Sequence, residues 1–220
     1  MKLRMPTLIK ICGVKDPAHV VAAADAGAHA IGLNFVPQSK RFVGGVDRAA
    51  QLIAACSPVQ IIWAGVFVNP DFDELIKTQE ALKLGILQLH GDESPEFVRR
   101  VKARAGSVKV WKAFRVAARA DLMRISEFEC DGILLDAKVI GERGGTGQAF
   151  DWTILKDFKR TAPLILSGGL TPQNVAEAIG AVNPDWVDVA SGVESAPGRK
   201  SAILIAEFIR IVKKQDASRH

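Results

Sequence analysis

Leu8-Ile9-Lys10-Ile11-Cys12-Gly13-Val14-Lys15-Asp16-Pro17 reads as one complete strand-to-helix joint. A short β-rich run, Leu8–Cys12, leads to Asp16, whose side chain is placed to cap a helix starting at Pro17, where a missing N–H costs nothing. Seven more such joints follow. The expected strands are Leu8–Cys12, Ala30–Phe35, Gln60–Phe67, Gly85–Leu89, Lys109–Phe114, Gly132–Asp136, Pro163–Ser167 and Trp186–Ala190. The expected helices are Pro17–Ala26, Asp47–Ala55, Phe72–Leu82, Pro95–Arg104, Arg119–Phe128, Trp152–Lys159, Pro172–Ile179 and Ala202–Lys213. Ser94 before Pro95 and Thr171 before Pro172 repeat the cap-then-proline signal. This alternation predicts parallel strands joined by crossover helices. An open doubly wound sheet usually stops at about five or six strands, so eight units predict an α/β fold of one domain over residues 1–220, a closed (β/α)8 TIM barrel. The polar stretch 213–220 is expected to be a disordered tail.

Composition narrows the class. Of 220 residues, 48% are hydrophobic, enough for one large core. No apolar run approaches the roughly 20 residues of a membrane span, and Met1-Lys2-Leu3-Arg4-Met5-Pro6 lacks the features of a signal peptide, so a cytoplasmic protein without a membrane partner is expected. Cys12, Cys56 and Cys130 are odd in number and widely spaced, which predicts free thiols and no structural metal. The net charge of +5 is scattered rather than gathered into a stripe, so no nucleic-acid partner is expected. The basic stretch around Arg210, Lys213 and Lys214 reads as a solvated helix end, and an anionic small substrate accounts for the balance as well. Helix faces show no obvious extra apolar patch, so the expected state is a monomer.

In a closed barrel the active site lies at the carboxyl ends of the strands. That rim presents Cys12, Asn34, Asn69, His90, Arg115, Asp136, Ser167 and Ser191. A thiol at Cys12 and a carboxyl at Asp136 facing one ligand suit acid–base chemistry on a small substrate. Ser167-Gly168-Gly169-Leu170-Thr171-Pro172 and Ser191-Gly192-Val193-Glu194 are glycine-bearing loops after strands seven and eight, where barrels often bind phosphate through backbone N–H groups. Gly168, Gly169, Ser191 and Gly192 are the candidates; the bland alternative is that the glycines only make turns. No nucleotide-binding fingerprint occurs, which favours a monophosphate. The loop after strand six, with Gly144, Gly145, Thr146 and Gly147, suits a mobile lid, or else is a long connection without a role.

Seven ordered segments carry a resemblance: Lys10–Gly13, Phe35–Arg41, Gly65–Asn69, Gln88–Glu93, Leu135–Ala137 with Gly144–Gly147, Ser167–Leu170, and Val187–Glu194. Together they resemble the motifs of phosphoribosylanthranilate isomerase, over nearly the whole chain. The resemblance implies a (β/α)8 barrel of tryptophan biosynthesis that needs no cofactor or metal. Its implied reaction is the Amadori rearrangement of N-(5-phosphoribosyl)anthranilate to the 1-deoxyribulose 5-phosphate. It also implies that Asp136 is the acid for the ring oxygen, Cys12 the base for the C2 proton, and Arg41 the partner of the anthranilate carboxylate. His90 either touches substrate or is a satisfied residue at the core edge. Asp188 either binds a ribulose hydroxyl or serves an internal pair.

That pair follows from alternation, which puts Lys10 on the face of Cys12 and brings Asp188 from strand eight beside it. A Lys10–Asp188 pair beneath the thiol would favour thiolate; otherwise Lys10 is a polar filler. Cys56 and Cys130 read as small apolar residues, and Trp63, Trp111, Trp152 and Trp186 as packing between barrel and helices. Another phosphate-binding barrel enzyme, or a barrel that holds a phosphorylated metabolite without turnover, remains open from fold alone.

Overall fold

The computed structural model describes residues 5–136, 152–155 and 158–219. Eight parallel strands close into a barrel in chain order: β1 Leu8–Cys12, β2 Ala30–Asn34, β3 Ile62–Phe67, β4 Ile86–Leu89, β5 Lys109–Arg115, β6 Gly132–Asp136, β7 Leu164–Ser167 and β8 Trp186–Val189. Closure pairs Leu8 with Trp186, Lys10 with Asp188 and Ile11 with Val189. The helices are α1 Pro17–Ala26, α2 Val46–Ala55, α3 Phe72–Leu82, α4 Pro95–Ala105, α5 Val175–Val182 and α6 Ala202–Ala217. Asp16 and Ser94 cap α1 and α4 through Ala18 N (2.9 Å) and Phe97 N (3.1 Å).

Alternation divides the core in two. Ile9, Ile11, Ile31, Leu33, Ile133, Leu135, Val187 and Val189 point out into the layer beneath the helices. Ala30, Ala64, Ile86, Trp111, Ala113, Leu134 and Ile165 fill the barrel interior. Trp111 and Trp186 therefore belong inside the barrel, not between barrel and helices: their rings meet edge to face at 5.1 Å. Gly132 makes room, since a Cβ there would strike the Trp111 indole. Trp63 does pack in the outer layer, and the Trp152 side chain lies outside the described residues.

Four further expectations are corrected. The segment after β5 is a 3₁₀ helix, Arg119–Glu127, and only a 3₁₀ turn, Trp152–Leu155, is described after β6. The helix after β7 starts at Val175, not Pro172: Thr171 Oγ1 accepts from Gln173 N, and the Asn174 side chain bridges Thr171 N and Gly169 O, so these residues form a turn first. A short hairpin, β9 Glu194–Ala196 with β10 Arg199–Lys200, intervenes before α6. The polar end is helical through Ala217 instead of disordered, because Asp216 accepts hydrogen bonds from Thr7 N (2.7 Å) and Thr7 Oγ1 (2.8 Å) beside β1. Thr7 is buried, so removing its partner leaves two donors unsatisfied. Asp216→Ala is expected to lower the unfolding free energy by about 1–3 kcal/mol in urea denaturation, and an unchanged midpoint would show that the tether holds nothing.

Candidate active site

The carboxyl ends of the strands enclose a cavity of about 360 Å³. Cys12, Arg41, His90, Asp136, Gly168, Gly169, Asp188 and Ser191 all line it. Asn34 and Ser167 line it as well, whereas Asn69 and Arg115 do not: Asn69 Oδ1 accepts from Asp92 N at 2.7 Å, and Arg115 lines a neighbouring cavity beside His90. Gly192 also stands apart. Gly192 lies behind the wall, where a Cβ would collide with the Leu170 carbonyl oxygen, so this glycine lets the loops after β7 and β8 press together. Gly144, Gly145, Thr146 and Gly147 lie outside the described residues. Gly168 and Gly169 adopt φ of 87° and 65°, a conformation that aims the turn after β7 as few other residues can, and space beside Gly169 is open.

At the base of the cavity, Lys10 Nζ donates to Asp188 Oδ1 at 2.8 Å, and both residues are buried. The other carboxylate oxygen of Asp188 accepts from Ser167 Oγ at 3.3 Å. Gly32, paired in register with Cys12, leaves the needed room: a Cβ there would stand 2.8 Å from the thiol sulfur and 3.1 Å from Lys10 Nζ. Burial alone would lower the Lys10 pKa, but Asp188 and Cys12 outweigh it and raise it. For Cys12 the balance goes the other way. Burial pushes the thiol up, Lys10 pulls it down, and burial wins. The cation expected beneath the thiol is present, and burial still raises the Cys12 pKa on balance.

Arg41 comes over the rim from the loop after β2, its stem lying on Gly13, which has φ of 75°. Its Nε and Nη2 donate to Glu194 Oε1 (2.6 Å) and Oε2 (2.8 Å). Lys200 Nζ donates to the same Oε1 at 2.9 Å and to Ala190 O at 2.8 Å. One edge of the guanidinium is thereby fixed, and its face on the cavity remains for an anion. Burial would raise the Glu194 pKa, but Arg41, Lys200 and the Gly198 N–H overcome it and take it from 4.5 to about 2.

His90 stands on a turn braced from behind. Buried Glu93 accepts from the Asn69 and Gly91 N–H groups and pairs with Lys112 at 3.1 Å. The imidazole Nε2 lies 3.3 Å from Asp136 Oδ2, and Nδ1 lies 2.8 Å from Gln88 Nε2. Gln88, Glu194 and Lys200 were not singled out from the sequence. Strand alternation carries a signal for Gln88, two residues before His90, and Glu194 lies in a segment that carries the resemblance; Lys200 has no such signal, and only the hairpin brings it to Glu194 and Arg41.

A family model described as N-(5'phosphoribosyl)anthranilate (PRA) isomerase matches residues 9–211. The chain belongs to this family. It is 43% identical over 208 residues to the N-(5'-phosphoribosyl)anthranilate isomerase of Trichlorobacter lovleyi, covering 94% of this chain and 98% of that one. It is 44% identical over 207 residues to the one of Geotalea uraniireducens, with the same coverage. Among solved structures, phosphoribosyl anthranilate isomerase from Thermotoga maritima superposes with a TM-score of 0.83 at 36% identity, covering 94% and 99% of the two chains. Another, in complex with reduced 1-(o-carboxyphenylamino)-1-deoxyribulose 5-phosphate, gives 0.80 at 34% identity and the same coverage.

The depressed Glu194 pKa implies stability that is present above about pH 4.5 and lost as pH falls towards about 2. Glu194→Gln should flatten that acid limb; equal slopes for both proteins in urea unfolding free energy between about pH 5 and about pH 3 would refute the assignment.

Proposed function

We propose that this chain isomerises N-(5-phosphoribosyl)anthranilate to 1-(2-carboxyphenylamino)-1-deoxyribulose 5-phosphate, an Amadori rearrangement of tryptophan biosynthesis, in the cytoplasm and without a cofactor. The observation that carries this reading is a buried thiol and a carboxyl, Cys12 and Asp136, on the wall of one cavity. That cavity also has a glycine turn at Gly168 and Gly169, with Ser191, on one side and Arg41 on another.

Each group has a role that the chemistry requires. The backbone of Gly168, Gly169 and the turn at Ser191–Val193 receives the phosphate, with Gly192 setting how closely the two loops meet. Arg41, held along one edge by Glu194, presents its remaining donors to the anthranilate carboxylate. Asp136 gives its proton to the furanose oxygen as the C1–O bond breaks, and the nitrogen lone pair forms the C1=N iminium. Cys12 then takes the C2 proton, and those electrons become the C1=C2 bond of the enolamine as the iminium is neutralised. Tautomerisation to the ketone completes the balance. C2 sits next to a cationic iminium, which makes its proton acidic, and Lys10 favours the thiolate that takes it against the burial that raises the Cys12 pKa. Asp188 keeps Lys10 charged, and its position on the wall also lets it meet a ribulose hydroxyl.

Mixing the purified protein with phosphoribosylanthranilate generated in place should produce decay of the anthranilate-type fluorescence. Cys12→Ser and Asp136→Asn should each slow that decay by about 10²-fold or more. Saturable binding without decay in the wild type would instead make the chain a binding barrel. For the thiol, Lys10→Met combined with Asp188→Asn leaves no lone buried charge. Lys10 acts on Cys12 more strongly than the opposing Asp188. The acid limb of kcat/KM, where thiolate is lost, should therefore move to higher pH in the double variant, and a limb at the wild-type position would show that the pair does not tune Cys12.

A further inference from the structure

Gln88 is 1% exposed and lies on the wall of the active-site cavity, yet only half of its amide is engaged. Nε2 meets His90 Nδ1 at 2.8 Å, whereas Oε1 has no hydrogen-bond partner among the described residues. A buried amide oxygen without a partner costs stability, so its place beside the site asks for a use. The partner it does engage is the ring whose other nitrogen faces Asp136 Oδ2 at 3.3 Å. Three side chains thus run in line from the barrel interior to the carboxyl.

We propose that Gln88 is a positioning residue whose amide, in either of two orientations, selects the tautomer of His90 and so supports Asp136 in both of its protonation states. The inference rests on Asp136 being the acid of the proposed reaction. With Nε2 towards the ring, the amide donates to Nδ1, which must then carry its lone pair. The ring proton sits on Nε2 and is donated to the Asp136 carboxylate, the state left after the substrate ring oxygen has been protonated. With the amide turned by half a rotation, Gln88 Oε1 accepts from His90 Nδ1–H, and the ring Nε2 of His90 accepts from the protonated Asp136 carboxyl, the state required before the transfer. One proton leaves Asp136 for the substrate. The ring exchanges Nδ1–H for Nε2–H through solvent between the two states. Glutamine suits this position because its amide offers a donor and an acceptor on interchangeable arms; a leucine offers neither and a glutamate only the acceptor.

Other ionisable groups face this line. Cys12, Arg41 and Asp188 look across the same cavity, while Glu93, Lys112 and Arg115 border His90 from the β4 and β5 side.

The experiment is 15N NMR of the His90 ring across the titration of activity, in wild type, Gln88→Leu and Gln88→Glu, with kcat and KM measured in parallel. In the wild type the ring should pass from the Nδ1–H form to the Nε2–H form as Asp136 deprotonates. In Gln88→Leu that linked change should disappear, with kcat down about tenfold and KM within about twofold. In Gln88→Glu the Nδ1–H form should persist, and the alkaline limb of kcat should move up by about one unit. A single tautomer in the wild type throughout, or Gln88→Leu with unchanged kcat and the same tautomer change, overturns the proposal. Should Gln88→Glu fail to fold, the wild-type and Gln88→Leu spectra still decide it. Asp136→Asn run alongside separates the two levels: full activity there removes the acid assignment, whereas the His90 spectra read the amide directly.

Discussion

Closure of the barrel between β8 and β1 is the constraint on which the site depends. The register that sets Lys10 opposite Asp188 is also the one that sends Ile9, Ile11, Val187 and Val189 outward under the helices. Shifting it by one residue would turn each of these side chains to the wrong face. A cation inside the barrel would be unsupportable alone; against Asp188 at 2.8 Å it becomes a fixed charge beneath Cys12. The same pairing therefore satisfies the fold and electrifies the base of the cavity. Gly32 on β2 completes it by leaving space where any other residue would meet the sulfur.

Above this base the wall is built from short polar chains, each tying a reactive side chain to something that does not move. Glu194 and Lys200, from the hairpin after β8, hold Arg41, which comes from the loop after β2. The hairpin after β8 and the arginine from the loop after β2 are thus parts of one network. Gln88 and His90 play the corresponding part for Asp136, and the buried Glu93–Lys112 pair braces the turn that carries His90. In the proposed reaction, side chains held in this way lose little freedom on binding, so more of the binding energy remains for the transition state.

Much of this is legible in the sequence. Strand limits fell within a residue or two, because alternation and helix caps such as Asp16 and Ser94 are local signals. Lys10 and Asp188 were paired by the same alternation plus the assumption of closure. The misreadings share a cause. Thr171-Pro172 has the pattern of a helix start, but Asn174 diverts it into a turn. Residues 215–217 are polar enough for a tail, but a contact with Thr7, 209 residues away, makes them helix. Trp111 and Trp186 are bulky enough for either layer, and only the inward pleat of β5 and β8 assigns them to the interior.

The sequence by itself determined the eightfold alternation of strand and helix, the order of the motifs, the family they resemble, and which residues stand at strand ends. These follow from periodicities of two and about 3.6 residues and from capping chemistry, all readable within a short window of chain. Tertiary structure alone decided what lies against what. It set the thiol deep enough for burial to outweigh Lys10, gave one edge of Arg41 to Glu194, and aligned Gln88, His90 and Asp136. Burial and directed hydrogen bonds depend on distances between segments far apart in the chain, and those distances exist only once the barrel has closed.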